Sequence, residues 1–160
     1  MIVIFLVSLA CAGCDQGTKS FASNHLPKNE MISYFHDTVR IGYTENAGAF
    51  LSFGELWPEN IRFLIFTVMT GLFLLGLFLY LVCNSKLDFL SIAGLSLILG
   101  GGSSNLYDRL INDGIVIDFL NVGVGGVRTG IFNVADMAIM FGGVLVFLAH
   151  SRKKSRASGF

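Results

Sequence analysis

The sequence predicts an all-α integral membrane protein with four transmembrane helices, both chain ends on the cytoplasmic side, and a small extracytoplasmic β-sheet cradle. Three observations predict it. Apolar residues make up 53% of the 160 and charged residues only 14%, against roughly 25% charged in a typical soluble domain. Four apolar runs approach the ~20 residues needed to cross ~30 Å of hydrocarbon. Lysine and arginine gather at two places that an even number of spans puts on one side, the side favoured for basic residues. The apolar content excludes a disordered chain. The balance of 11 basic against 11 acidic residues, with no basic stripe, argues against a nucleic-acid partner. The length suits one domain, 1–160, with spans at approximately 2–24, 61–83, 87–106 and 131–150.

The first run, Met1 to Cys14, is too short to span alone. It crosses only if the helix continues through Asp15, Thr18 and Lys19 to about Leu26. Cys11-x-x-Cys14 has a redox or metal spacing but no close histidine, and reads as small apolar helix residues. Leu9 to Cys14 also imitates a bacterial lipoprotein signal. Met1-Ile2-Val3-Ile4 lacks the positive start of a signal peptide, however, and three further spans follow. Pro27 to Asn60 then faces outward with Glu30, Asp37, Glu45, Glu55 and Glu59. Within it, Ile32 to Phe53 alternates partially in Tyr, Phe, Thr, Val and Ile, which predicts short strands at the bilayer surface.

Phe63 to Cys83 is the clearest span, with no charge, and Asn84-Ser85-Lys86 is a short basic turn. Phe89 to Ser104 is shorter and ends in a glycine cluster. Tyr107 to Gly130 faces outward and carries a second strand-like stretch, Ile115 to Val122. Ile131 to Ala149 is apolar except for Asn133 and Asp136. The tail from Ser151 to Phe160 carries Arg152, Lys153, Lys154 and Arg156 without an acid, an orientation-setting segment. No internal repeat, low-complexity tract or interdomain linker interrupts the chain.

An ionisable group in a spanning helix costs at least a few kcal/mol, so each one is a functional hypothesis. Asp15 and Lys19 stand i, i+4 on one helix face and can neutralise each other, as a structural pair or as part of a site. Asn46, with Gly48 and Ala49 behind it, can bond a peptide or cap a turn. Gly100 to Ser104 permits tight helix contact in lipid. Asn105, Asp108 and Arg109 follow at i, i+3 and i+4, with Asp108 and Arg109 expected to form a structural ion pair. Asp118 lies in the apolar run Val116-Ile117-Asp118-Phe119-Leu120, and Asn133 and Asp136 share a face where the last helix opens.

Asp118 and Asp136 have no basic neighbour in sequence, and each lies among apolar residues near the outer membrane boundary. Brought together, desolvation and like-charge repulsion would leave one shared proton between them. Such a pair can take a proton from water with one carboxylate and protonate a peptide carbonyl with the other. Membrane carboxylates also serve proton or ion pathways, so a small conducting protein is the rival reading, and a purely structural subunit a third. Gathering of the acids at one boundary disfavours a conduction path, and a structural subunit leaves the asparagines and Arg109 unexplained.

Asp15-x-x-x-Lys19, Asn46-x-Gly48-Ala49-Phe50, Asn105-x-x-Asp108-Arg109, Val116-x-Asp118-Phe119 and Phe132-Asn133-x-Ala135-Asp136 occur in this order across the whole chain. Together they resemble the motif series of lipoprotein signal peptidases (signal peptidase II). The resemblance implies a single membrane-embedded peptidase domain: a bacterial inner-membrane aspartic endopeptidase, active at the extracytoplasmic face, with no cofactor and no metal. It implies removal of signal peptides from diacylglyceryl-modified prolipoproteins by cleavage before the lipobox cysteine. Asp118 and Asp136 would be the catalytic dyad, and Asn46, Asn105, Arg109 and Asn133 would line the substrate site. Asp15, Lys19, Gly48 and Asp108 would support them. The implied partners are prolipoprotein signal peptides, membrane lipid and the inhibitor globomycin, with no nucleic acid and a monomer sufficing. The family usually carries glycine where this chain has Ser104, a change expected to touch helix contact and not the chemistry.

Overall fold

In a computed structural model, residues 1–28, 30–49 and 53–157 are described, with side chains through Arg152. Phe50 of the second motif and the end of the basic tail lie outside the described residues, as do the Lys153, Lys154 and Arg156 side chains. Among the described residues four helices are long and apolar enough to cross a bilayer. They are α1 (Ile2–His25), α2 (Glu59–Cys83), α3 (Phe89–Ile111) and α4 (Val134–Ala157). A four-stranded antiparallel sheet in the order β1-β2-β3-β4 lies between them in sequence. Its strands are β1 (Ile32–Tyr34), β2 (Val39–Asn46), β3 (Val116–Val124) and β4 (Val127–Arg128).

The helix limits follow local chemistry. After α2, the Asn84 backbone turns extended. The carboxylate of Asp88 then caps α3, accepting from the Ser91 backbone N–H at 3.0 Å. α3 runs past its predicted end at 106 to Ile111, and the added turn carries Asp108, buried against Lys19 of α1. α4 begins at Val134, later than the predicted 131, because Asn133 caps it. Within α2, Phe63–Met69 is π-helical, a wider turn that breaks the regular α spacing and is frequent at functional sites.

Large apolar side chains such as Phe5, Leu72, Phe73, Met140 and Phe147 face outward, as a surface against lipid requires. The apolar core, Ile4, Leu74, Leu81 and Leu99, ties α1, α2 and α3 together. Without a hydrophobic drive between helices in lipid, close backbone approach carries the packing. Gly94 and Gly142 meet across α3 and α4: a Cβ on Gly142 would lie 2.5 Å from the Gly94 carbonyl oxygen. Gly142→Ala should therefore destabilise by about 1–3 kcal/mol, the usual cost of overpacking. The neighbouring Gly143→Ala, whose Cβ would meet nothing within 4 Å, should be neutral or stabilising, since a helix-interior glycine costs entropy. Thermal unfolding of the two variants in detergent checks this.

The sheet holds the outer loops in register. Thr44 pairs with Asp118 and Asn46 with Val116, with a bulge in β2 between Ile41 and Thr44. Phe132 pairs with Leu120: its N–H donates to the Leu120 carbonyl at 2.8 Å, and its carbonyl accepts from Leu120 at 2.9 Å. That bridge fixes the entry to α4 against β3. At the β1–β2 turn, Phe35, His36 and Asp37 have φ of 51°, 53° and 67°. The fork of Arg40 closes this strained turn on the Asp37 carboxylate with two contacts of 2.7 Å. Those hydrogen bonds hold the Asp37 carboxyl well below the usual carboxylate range.

Candidate active site

Asn133 is the hub of the site. As the residue before α4, its Oδ1 accepts from the Asp136 N–H at 2.9 Å, and its own N–H donates to Asp136 Oδ2 at 3.3 Å. This reciprocal cap satisfies donors at the helix start and locks the rotamer of Asp136. The Asn133 Nδ2 group donates to Asp118 Oδ1 at 2.7 Å and to Asn105 Oδ1 at 3.1 Å. Asn105 Nδ2 donates to Asp136 Oδ1 at 2.9 Å. Asn46 Nδ2 donates to Asp118 Oδ2 at 2.8 Å, while its Oδ1 accepts from the Gly48 N–H at 2.9 Å. Asn46 thus both caps a turn and touches a carboxylate.

Asp118 and Asp136 line one cavity of about 380 Å³, together with Asn46, Asn105, Arg109, Phe66, Thr70, Val116, Ile139 and Met140. Asp118 is 2% exposed. Burial pushes its carboxyl up to about 7; the Asn46 and Asn133 hydrogen bonds oppose this, and the charge of Asp136 adds to it.

Behind the cavity lies a buried ionic cluster. Lys19, 1% exposed, places its Nζ 2.6 Å from Asp15 Oδ2, 2.8 Å from Asp108 Oδ2 and 2.7 Å from Asn105 Oδ1. Its three N–H donors match three acceptors. Asp15 Oδ1 accepts from the Ala135 N–H at 2.7 Å, in the first turn of α4, where the helix dipole favours a negative charge. The Asp15–Lys19 pairing legible in the sequence is therefore present, with Asp108 and Asn105 joined to it.

The expected Asp108–Arg109 ion pair does not form. Consecutive helix residues diverge by about 100°, so Asp108 turns to Lys19 while Arg109 turns to the outer loop. There Arg109 Nη2 donates to the Gly48 carbonyl at 2.8 Å and Nη1 to the Asn105 carbonyl at 3.3 Å. The guanidinium also lies 5.9 Å from the Phe66 ring, which stacks on Trp57 at 5.9 Å.

Ser104 does more than alter helix contact. Its hydroxyl donates to Asp15 Oδ2 at 2.7 Å and accepts from Gln16 Nε2 at 2.9 Å. Gln16 Nε2 also donates to Asp108 Oδ1 at 2.6 Å. Gln16 was not singled out in the sequence, although an amide beside Asp15 in an apolar helix was the available signal. The free cysteines include Cys11, buried, and Cys14, exposed. They face differently and take no part in these contacts, in keeping with their reading as small helix residues.

Comparison with known proteins agrees with this architecture. A family model described as signal peptidase (SPase) II matches residues 7–152. A lipoprotein signal peptidase of Syntrophus aciditrophicus (strain SB) is 34% identical over 98% of this chain and 98% of that protein. One of Streptococcus pneumoniae (strain ATCC BAA-255 / R6) is 30% identical over 92% of this chain and 91% of that protein. A solved bacterial membrane enzyme, 21% identical, superposes with a TM-score of 0.85 over 100% of this chain and 94% of its own. A second, 23% identical, gives 0.80 over 93% and 92%; at these identities the two structures speak to the fold. With four spans, a surface sheet and a family match over nearly its whole length, the chain belongs to the signal peptidase II family, the membrane aspartic peptidases.

Proposed function

We propose that this protein removes signal peptides from diacylglyceryl-modified prolipoproteins, cutting before the lipidated lipobox cysteine at the extracytoplasmic face of a bacterial inner membrane. The observation that carries the reading is that Asp118 and Asp136, from a strand and a helix far apart in sequence, line one cavity. In this scheme Asp118, whose carboxyl burial raises to about 7, is the protonated member of the pair. Asp136, fixed by Asn105 and Asn133, takes a proton from water as the water oxygen attacks the scissile carbonyl carbon. Asp118 gives its proton to the carbonyl oxygen, so the tetrahedral diol forms without a free oxyanion. In the second step Asp136 protonates the amide nitrogen, the C–N bond breaks, and a hydroxyl proton of the diol returns to Asp118. One water is consumed and both carboxyl groups are restored.

Asn46, Asn105, Asn133 and Arg109 are binding and orienting groups in this scheme. Arg109 spans the loop carbonyl of Gly48 and the helix carbonyl of Asn105, which keeps the cavity mouth fixed for an extended peptide. Gly48 supplies that carbonyl, and Asp15, Lys19 and Asp108 hold α1, α3 and α4 in place behind the dyad. A single chain carries the whole pair, so a monomer suffices. Globomycin is proposed to occupy the same cavity.

The test is cleavage of a lipidated prolipoprotein by purified protein in detergent with chelator, with and without globomycin, across pH. Cleavage should persist in chelator, stop with globomycin, and fall as pH rises through about 7, where Asp118 loses the proton it must donate. The same loss bears on stability. The native state keeps a proton that the unfolded chain has released above the ordinary value of 3.8, so this contribution declines from there to about 7. Chelator-sensitive cleavage, or activity still climbing well above pH 7, sinks the mechanism.

A further inference from the structure

A second cavity, about 260 Å³, shares Arg109 with the first but neither carboxylate of the dyad. Arg62 and Thr67 of α2 line it with Arg109, as do the acids Glu59 and Asp113. Thr67 is 5% exposed, and its hydroxyl has no hydrogen-bond partner within the described chain. The Nε atoms of Arg62 and Arg109 are also buried and unpartnered. Arg62 uses one Nη only weakly, on the Glu55 carbonyl at 3.3 Å. An unsatisfied buried polar atom costs about 1–3 kcal/mol, so three on residues that line this cavity point to an acceptor that completes them. Thr67 sits in the π-helical stretch of α2, which departs from regular helix where the cavity forms.

The chemistry of the lining names the ligand class. Two guanidinium groups and a hydroxyl suit phosphate oxygens. Two carboxylates on the same cavity suit a group that carries hydrogen-bond donors. Both features belong to a phosphate ester with an amine or hydroxyl on its far side. The cavity is lined from the first turns of α2 and from the end of α3 and the residues after it, and in spans of this length the helix ends reach the headgroup level. It is far larger than the ~30 Å³ share of one water. We propose that this cavity binds a bilayer phospholipid headgroup, its phosphate on Arg62, Thr67 and Arg109 and its amine or hydroxyl on Glu59 and Asp113. Since Arg109 also reaches the Gly48 carbonyl, an occupied headgroup site steadies one wall of the first cavity.

Native mass spectrometry of the full chain, released from micelles doped with phosphatidylethanolamine, phosphatidylglycerol or phosphatidylcholine, tests this. The first two should be retained at least about tenfold more than phosphatidylcholine, whose headgroup has no N–H or O–H to donate; tenfold corresponds to one lost hydrogen bond to a charged group. Arg62→Gln and Thr67→Val, which remove phosphate contacts common to all three lipids, should lower retention of each by about tenfold, whereas Thr67→Ser should keep it. The Ser variant guards against a Val variant that fails to fold. Equal retention of all three lipids, or unchanged retention in both Arg62→Gln and Thr67→Val, overturns the proposal. Displacement of the lipid by millimolar inorganic phosphate overturns the lipid as the source. Neither Arg62 nor Thr67 lines the cavity of the two carboxylates, so lipid retention in these variants reports on this site and not on the dyad.

Discussion

Asp118→Asn and Asp136→Asn should each lower prolipoprotein cleavage by about 10³-fold or more, with the protein still folded in detergent. General acid–base groups typically contribute 10²–10⁴-fold, and members of a unit fail together rather than additively. Asparagine keeps the shape but can play neither part proposed for the pair, giving a proton to the carbonyl or taking one from water. At position 118 it also meets two donors, Asn46 Nδ2 and Asn133 Nδ2. One of its own N–H groups must face one of them, costing about 1–3 kcal/mol locally. At position 136 the reciprocal cap loses part of its acceptor strength but keeps Asn133 Oδ1 on the backbone. Single-turnover cleavage and thermal unfolding measured on the same samples separate lost chemistry from lost fold. Wild-type turnover in either variant would remove the dyad.

Lys19→Met should cost about 3–5 kcal/mol, the largest stability effect expected from one substitution here. The methionine is unbranched and one atom shorter, so it keeps most of the apolar stem and deletes the ammonium group with its three donors. It leaves Asp15 and Asp108, 0% and 2% exposed, as two buried carboxylates without their common cation. Breaking a buried pair from one side is far costlier than replacing all of it by apolar groups. Lys19→Met combined with Asp108→Asn should recover part of the loss, because one of the stranded charges is gone. Activity should fall as well, since Lys19 Nζ holds Asn105 Oδ1, and that contact orients the Asn105 amide toward Asp136. Thermal unfolding in detergent reads the effect; a Lys19→Met protein as stable as the wild type would mean the cluster does not hold α1, α3 and α4 together.

Several local features were legible because their causes are local. The spans follow from apolar runs long enough for the bilayer, and the partial alternation of Val39 to Thr44 and of Ile115 to Val122 foretold β2 and β3. The Asp15–Lys19 pair follows from i, i+4 spacing on one helix. The start of α4 moved to Val134 because Asn133 and Asp136 cap each other, a side-chain preference that outweighs the apolar character of Ile131 and Phe132. The Asp108–Arg109 expectation failed for the opposite reason: adjacency in sequence is divergence on a helix, and Lys19 on another helix was the nearer partner. Ser104 and Gln16 gained their roles only when α1 came to lie against α3.

By itself the sequence determined that this protein crosses a membrane four times and concentrates its polar groups at one end of the bundle, since burying them in lipid without partners is prohibitive. Its motif order determined the family. What the tertiary structure alone decided is who meets whom: Asn133 reaching both Asp118 and Asp136, Lys19 reaching Asp108, and Arg109 standing between two cavities. With the Asp15 contact to the Ala135 N–H, the contacts behind the site join residues as many as 120 positions apart. No periodicity encodes such distances; they arise from helix crossings set by backbone approach at small residues and from the strand bridge that ties Phe132 to Leu120.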